Sequence, residues 1–426
     1  MTTLDNQCSL SARNPLATVE QREVEDTALR LIDHPAMRKA RDMAGHLFRL
    51  TMTADLGDQI GAFEPFLDEY MFHYALRAAS SDPNDPKVAR FMAAPHRWFG
   101  RDVPGSRWGD DSPDFVYRMI AVAHGPRYQI HGRATCERPP TVNYALMEDR
   151  PAAPTILALL DSLDMEFEPN GDFTITVDPT PANGRSNHIQ SQPGAWQIWI
   201  RDALVDWGSQ SANALRVTRL DPPERAPMSD DELARFGARN ALDGVYYLFY
   251  LTRTALVRPA NHIEAPASTG ALGGMPTQVG CFGRLSLERD EAAIITASAA
   301  GALFRNVVLT DHTWRTFNYW DRQTSLNSGQ MAPDEDGRFT FVAAHEDPGV
   351  HNWLDAGGVR ELKVGHRWQA FDRSRPREAP TITCRAVKLA DLGEALPAGV
   401  KRIDSAGREA QIAARQAGYI RRFVDN

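Results

Sequence analysis

Absences narrow the reading of this 426-residue chain before any motif does. Cysteine is scarce. Cys8, Cys136, Cys281 and Cys384 stand far apart and form no CxxC pair, so neither a disulfide framework nor a thiolate zinc site is expected. No apolar run approaches the roughly 20 residues that cross a bilayer. The opening stretch MTTLDNQCSLSARNPLATVEQREVEDT has no basic segment followed by an apolar one. A cytoplasmic protein without a membrane partner is expected. A basic excess is also missing: 47 Lys and Arg face 55 Asp and Glu, a net charge of −8 spread without blocks. Such a surface offers no footprint for a phosphate backbone, and nucleic acid is not expected as a partner. GxGxxG after a strand, the GxxxxGKS/T loop, the GxSxG elbow, HExxH and the EF-hand loop are all absent. No organic cofactor is expected.

What is present is an ordinary globular composition, 42% hydrophobic and 24% charged, in a length that suits two or three domains of about 150 residues. Residues 1–105 read as a helical region. Thr18 and Gln21 form a capping box, and RKARDMAGHLFRLTM and FEPFLDEYMFHYALRAA repeat apolar residues near period 3.6, giving three or four helices up to Pro95. DPNDP at 82–86 is a turn. Residues 106–222 form a first β-rich region of short alternating runs: FVYRMIAVA, YQIHGRA, TVNYALM, AWQIWIRDALVDW and LRVTRLD. Asn170-Gly171 predicts a tight primed hairpin turn between DMEFEP and DFTITVDP.

Residues 223–280 hold a long helix, opened by the capping box Ser229-Asp230-Asp231-Glu232, with Val245, Phe249, Thr252 and Leu256 as one stripe. A Gly-rich loop follows it. Residues 281–385 resume the strands (AAIITASA, FRNVVLTD, WRTFNYW, RFTFVAA, HRWQAF), and residues 386–426 end in a helix with Ile412, Tyr419 and Phe423 inward and its arginines solvated. The fold class is therefore α+β, with antiparallel sandwich or jelly-roll-like sheets beside helices. No internal repeat of fixed period is seen.

Candidate chemistry gathers in AAHEDPGVHNWLDAGG, residues 343–358. Asp347-Pro348-Gly349 fits a turn that swings His351 back towards His345. With Glu346 or Asp347 to orient an imidazole, His345 and His351 form a candidate acid/base pair. The same groups could instead hold a divalent metal, although their spacing fits no standard zinc signature. A structural reading stands beside both: Asp347 and Asn352 satisfy loop amides and Trp353 plugs the core. Just upstream, Asn318, Trp320, Arg322, Ser325 and Asn327 alternate rings and polar groups, as a pocket for a flat ligand needs, and as sandwich core also would. A third group, Trp108, Asp110, Asp111, Asp114, Tyr117 and Arg118, offers carboxylates beside aromatics, with turn and cap roles as the preferred reading.

At these residues the chain resembles the DUF1214 domain family. The likeness spans about 107–372 and is carried by RWGDDSPDFVYRMIAVAHGPRYQIHGR, IRDALVDW, QTSLNSGQMAPDEDGRFTFVAAHEDPGVHNWLDAGG and GHRW. Asp111-Ser112-Pro113-Asp114 departs from the family's Asn-Pro-Asp by a serine. The resemblance implies a bacterial protein containing a β-sandwich, with an association to the breakdown of aromatic or steroid-like compounds. It implies no reaction.

The expected function is acid/base chemistry of lyase, isomerase or hydrolase type on a hydrophobic aromatic or polycyclic small molecule. His345, His351, Asp347 and Glu346 are the catalytic candidates. Trp320, Asn318, Ser325, Asn327, Asn352 and Trp353 are the binding candidates, with Arg322 or Arg367 for an anionic group. A non-catalytic carbohydrate- or lipid-binding module and a metal-assisted hydrolase are the alternatives, and homo-oligomerisation is left open.

Overall fold

The computed structural model describes residues 14–135, 137–148, 155–270, 274–374 and 376–423, without the side chains of 53–58, 255 and 256. Cys8 and Cys136 lie outside these residues. Cys281 and Cys384 are free thiols, each pushed up to about 12 by burial.

The helical layer begins as its caps dictate. The Thr18 hydroxyl accepts the Gln21 N–H at 3.0 Å and opens α1, Val19–Ile32. Pro35, whose missing N–H costs a first turn nothing, opens α2, Pro35–Leu56. A 3₁₀ turn, Gly57–Ala62, leads into α3, Phe63–Ala79, which is apolar nearly all round and buried accordingly. Helix stops at Ala79, well short of Pro95, because the following residues are claimed by sheets. Ala89–Phe91 pairs with Phe115–Ala121, and His96–Trp98 forms a ribbon with Arg101–Val103. The long helix α4, Asp230–Leu256, starts at a reciprocal capping box: Ser229 N–H donates to Glu232 Oε2 at 2.7 Å and Glu232 N–H to Ser229 Oγ at 3.3 Å. It crosses α3 at Gly244, where a Cβ would lie 1.8 Å from the Tyr74 hydroxyl.

Two sandwiches follow, and they share one topology. The first contains, in chain order, Ala89–Phe91, Phe115–Ala121, Tyr128–Arg133, Val142–Glu148, Ile156–Asp161, Asp172–Asp178, His188–Gln190, Ala195–Ala203 and Ala214–Arg219. Counted in that order, one sheet runs first, second, eighth, fourth, fifth, and the other ninth, third, sixth, seventh. The second sandwich contains His262–Ile263, Val279–Ser286, Glu291–Ala297, Ala302–Thr310, Ser325–Asn327, Phe339–Ala344, Trp353–Asp355, Glu361–Phe371 and Ile382–Lys388, and both sheet orders recur. In each, the sixth and seventh strands pair in parallel, and among the described residues the other pairings between these strands are antiparallel.

The repeat escapes a search for fixed period but has a local trace: GDFTITV at 171–177 and GRFTFVA at 337–343 occupy the same strand. It also corrects the hairpin expected at Asn170-Gly171. DMEFEP is not a strand. Instead Gly171 (φ +86°) donates to the Glu168 carbonyl and Asp172 N–H to Asn170 Oδ1, and Gly337 (φ +81°), Asp334, Arg338 and Asp336 repeat that turn bond for bond.

Each sandwich has its own core: Ile130, Tyr144, Ile175 and Ile200 are among the buried residues of the first, Val307, Phe341, Val364 and Trp368 of the second. A third apolar cluster joins the helices to the outer face of the first five-stranded sheet through Phe91, Met119, Met147 and Trp199. The chain closes with a single turn α5, Leu392–Ala395, and α6, Ser405–Ile420. The arginines expected in solvent on α6 are its buried face: Arg408, Arg415 and the following Arg422 are all under 9% exposed, while Ile412 is only half-buried. They are buried because backbone carbonyls and carboxylates from distant segments meet them there.

Candidate functional site

The loop after Phe339–Ala344 is tied on two sides. His345 Nε2 lies 3.0 Å from the Leu287 carbonyl, at the turn between two strands of the second sandwich. His351 has turned the other way: its Nδ1 is 3.1 Å from Asn352 Oδ1 and its Nε2 3.0 Å from the Gln411 amide of α6. Burial pushes the His351 pKa below the ordinary imidazole value. Asp347 accepts the Gly349 N–H at 2.9 Å within the expected Asp-Pro-Gly turn, and both its oxygens meet the Arg408 guanidinium at 2.9 and 3.2 Å. Glu346 is exposed. The four residues expected to act together are thus divided between separate partners. Among the described residues no group of three or more His, Cys, Asp or Glu is placed to hold a metal ion.

Asn352 and Trp353 serve the backbone. Asn352 accepts the Ala332 N–H and returns its amide to the Ala332 and Thr340 carbonyls at 2.7 and 3.2 Å. Asn187 makes the same two-way contact with Glu166 in the first sandwich, so the arrangement is a structural element of the repeat. Trp353 Nε1 donates to the Ala344 carbonyl, with Arg408 over its ring.

WRTFNYW is a loop rather than a strand. Asp311 folds it by accepting the N–H groups of Thr313 and Arg315, and Trp314 holds a left-handed backbone at φ +60°. The surface expected to receive a flat ligand receives α6 instead. Tyr419 stacks on Trp320, with centroids 4.7 Å apart and planes 19° off parallel. Arg415 donates to the Tyr319 and Ser325 carbonyls and to Ser325 Oγ, each at 2.9 Å. Asn327 is fully buried and donates to Asp114 at 2.7 Å, and Arg367 pairs with Asp110.

The acidic segment at 110–114, read as turns and caps, is the hub of the molecule. Asp110 Oδ2 meets Arg367, Asp111 Oδ2 accepts the Thr316 hydroxyl at 2.6 Å and Oδ1 its N–H at 3.1 Å, and Asp114 Oδ2 takes Asn306 at 2.9 Å. All three carboxylates reach from the edge of the first sandwich to the second. Asp110 (φ +67°) donates its N–H to the carbonyl of Trp314, so two non-glycine residues in left-handed backbone face each other at this crossing. Such strain persists only where the surroundings over-determine it, and it concentrates at functional sites.

Beside this crossing opens a cleft of about 420 Å³, lined by Gln59, Arg107, Asp311, Arg315, Thr316 and Asn318 with Arg322 at its rim. Of the residues expected to bind a ligand, Asn318 and Arg322 line it; His345 and His351 do not. Arg107 and Arg315 share the buried Glu69, Arg315 also meets Asp311, and Arg322 forks onto Asp355 at 2.8 Å on both bonds. Arg322 lies flat over Gly357 (φ +69°), where a Cβ would come within 1.9 Å of it. Nη2 of Arg315 and Nη1 of Arg322 have no hydrogen-bond partner among the described residues, and both are free to meet a polar group. Bonded to the lining residue Thr316, and not itself part of the lining, is Asp111, pushed up to about 7 by burial against the opposing pull of Arg107 and Thr316. Sequence reasoning placed Asp111 in a cluster of carboxylates beside aromatics but preferred turn and cap roles for it, and it did not single out Thr316, Arg107 or Arg315. The paired carboxylates of Asp110-Asp111 beside Trp108 were the available signal.

The fold and cleft define an α+β protein of two like sandwiches beneath a helical layer. A solved structure of an uncharacterized protein from Burkholderia cenocepacia shares this fold with TM-score 0.70 at 22% identity, covering 85% of this chain and 99% of that one. The VPA0106 protein from Vibrio parahaemolyticus aligns with TM-score 0.40 at 11% identity, over 85% and 100% of the two chains. No family model matches the chain, and neither does any curated protein. Among the described residues no helix is long and apolar enough to cross a membrane.

Proposed function

We propose that the protein is an enzyme without an organic cofactor that performs acid/base chemistry on a small molecule bearing an anionic group. The observation that carries this reading is Asp111, whose carboxyl is held near neutrality and bonded to Thr316 on the cleft wall. A group that changes charge near the working pH, one hydroxyl away from the substrate space, can take up and return a proton through that hydroxyl. Arg315 and Arg322 supply N–H donors for the anionic end, and Arg107, fully bonded to Glu69 and to the Thr316 carbonyl, holds the wall in place. A hydrophobic aromatic or polycyclic substrate fits the expectation attached to the DUF1214 resemblance, which we keep as part of this reading.

The competing reading is a non-catalytic module that binds carbohydrate or lipid in the same cleft and needs no proton carrier. Incubation of the full chain with a panel of aromatic and polycyclic carboxylic acids, followed by mass spectrometry, separates the two. Turnover that vanishes in Asp111→Asn, while Arg322→Met raises KM, supports the enzyme. Saturable binding without conversion, unchanged in Asp111→Asn, supports the module.

A further inference from the structure

The outer face of the helical layer is left open. Half of the large apolar side chains exposed among the described residues lie on it: Met43 and Leu50 of α2, Tyr246 and Tyr250 of α4, and Val257 just beyond α4, each between 45% and 76% exposed. Phe249 is half-buried and belongs to none of the apolar clusters. At roughly 200 Å² for a large side chain, the five leave about 600 Å² open, against about 300–600 Å² for the largest apolar patch of an ordinary monomer and roughly 800 Å² per partner in a standard interface. A patch of that size marks a contact surface.

The five side chains form one face because α2 and α4 both run antiparallel to α3, and so parallel to each other. On α2, Arg41 bonds Asp68 and Arg49 bonds Glu64. On α4, a Cβ at Gly237 would lie 3.0 Å from Ala78, and one at Gly244 would meet Tyr74. The same Cβ at Gly237 would lie 3.2 Å from the Met37 sulfur, which sets the register of α2 against α4. Met43 and Leu50 therefore stand beside the 246–253 stretch, turned away from the flank of α2 that Arg41 and Arg49 give to α3. On α4 itself Arg239, Tyr246, Tyr250, Arg253 and Val257 fall on one stripe, with Asp243 at its edge. If α4 packs antiparallel on a copy of itself about a two-fold axis at residue 248, Tyr246 meets Tyr250 and Asp243 meets Arg253, each pairing made twice. Arg239 falls opposite Val257, so none of these charges meets its own sign.

We propose that this face is a two-fold interface with a second copy of the chain, centred on Tyr246 and Tyr250. The open area is near what one side of a stable interface needs, and the stripe is complementary in charge to itself, so no second kind of chain is required. Tyrosine, methionine and arginine are also the residues that protein interfaces concentrate. An anionic lipid surface suits the face less well, because it repels Asp243 at the edge of the stripe. The proposal does not depend on any reading of the cleft.

Sedimentation velocity of the full chain across the micromolar range is the test, and a species of twice the chain mass is expected. Tyr250→Glu, present twice in the interface, should raise the dissociation constant about 100-fold or more. Tyr246→Ser, a milder change at the same centre, should act in the same direction. Asp243→Arg, which sets arginine against Arg253 at two places, should raise the constant about tenfold. Adding Arg253→Asp should return it to within about threefold of wild type, because the reversed charges again attract. Far-ultraviolet circular dichroism at wild-type values confirms that each variant is folded. A monomer throughout the range overturns the proposal, as does a dimer that both tyrosine variants leave intact or a charge reversal that the double variant fails to rescue. Cosedimentation of a monomeric chain with phosphatidylserine-containing vesicles, lost in Tyr250→Glu, also overturns it, by giving the face to a membrane.

Discussion

Replacing Arg415 by Met tests whether α6 is built into the fold or merely rests upon it. The guanidinium donates to three buried acceptors, the Tyr319 and Ser325 carbonyls and Ser325 Oγ, and reaches Gln330 Oε1 at 3.2 Å. It also offsets the negative charge of Asp114, whose own pKa burial has already raised. Methionine keeps much of the apolar stem but strands those acceptors. Removing one partner of a buried charged network costs roughly 3–5 kcal/mol. Because the loss falls on the contact between α6 and the 319–325 loop, it appears first as local opening. At about 1.4 kcal/mol per tenfold, amide exchange across residues 405–420 should quicken by about 100-fold or more. Hydrogen exchange read by mass spectrometry measures this directly, and urea unfolding followed by tryptophan fluorescence gives the global change. Exchange within about fivefold of the wild type, which is about 1 kcal/mol, would show that the arginine stripe contributes little and that the sequence-level expectation of a solvated basic face was the better one.

Asp111→Asn should change stability with a particular sign. The folded carboxyl titrates near 7 against an ordinary 3.8, so its contribution is fully present below pH 3.8 and is lost as pH rises towards 7. Urea midpoints should therefore show the variant gaining on wild type between pH 4 and 8, by up to about 4 kcal/mol at about 1.4 kcal/mol per pH unit; a constant difference refutes the raised pKa. Gly244→Ala places a methyl against the Tyr74 hydroxyl and should lower Tm through roughly 1–3 kcal/mol of overpacking, with an unchanged Tm as the contrary result. His345→Ala removes one bond to the Leu287 carbonyl from a half-buried ring. It should cost about 1 kcal/mol and leave any turnover intact, whereas abolished turnover in a folded variant would return catalysis to the HEDPGVH loop.

Much of the local structure was legible because it is decided by near neighbours. The capping boxes at Thr18 and Ser229, the alternating strands and the Asp347-Pro348-Gly349 turn all depend on bonds that span a few residues. The errors have a common form. Asn170-Gly171 closes a turn, but the residues before it find no strand to pair with. WRTFNYW alternates like a strand, but Asp311 captures its N–H groups first. At the candidate site, Asn318 and Arg322 were picked out from rings and polar groups in alternation, yet Trp320 beside them stacks on the chain's own Tyr419. Asp111 was passed over because a carboxylate next to a serine and a proline ordinarily caps a turn. Only its burial against Arg107 and Thr316 gives it another character.

By itself, then, the sequence determined the α+β class and those elements and turns that local periodicity and capping settle, DMEFEP and WRTFNYW being the exceptions, since these signals act within a few residues of one another. Tertiary structure alone decided which polar groups are sealed in protein and with what partners. An arginine on an amphipathic helix is solvated or buried according to acceptors that lie about 60 to 300 residues away, as the contacts of Arg408 with Asp347 and of Arg422 with Pro113 show. The same holds for the repeated sandwich: its two halves share one hydrogen-bonded strand order, which many different side chains can satisfy, although no fixed sequence period announces it.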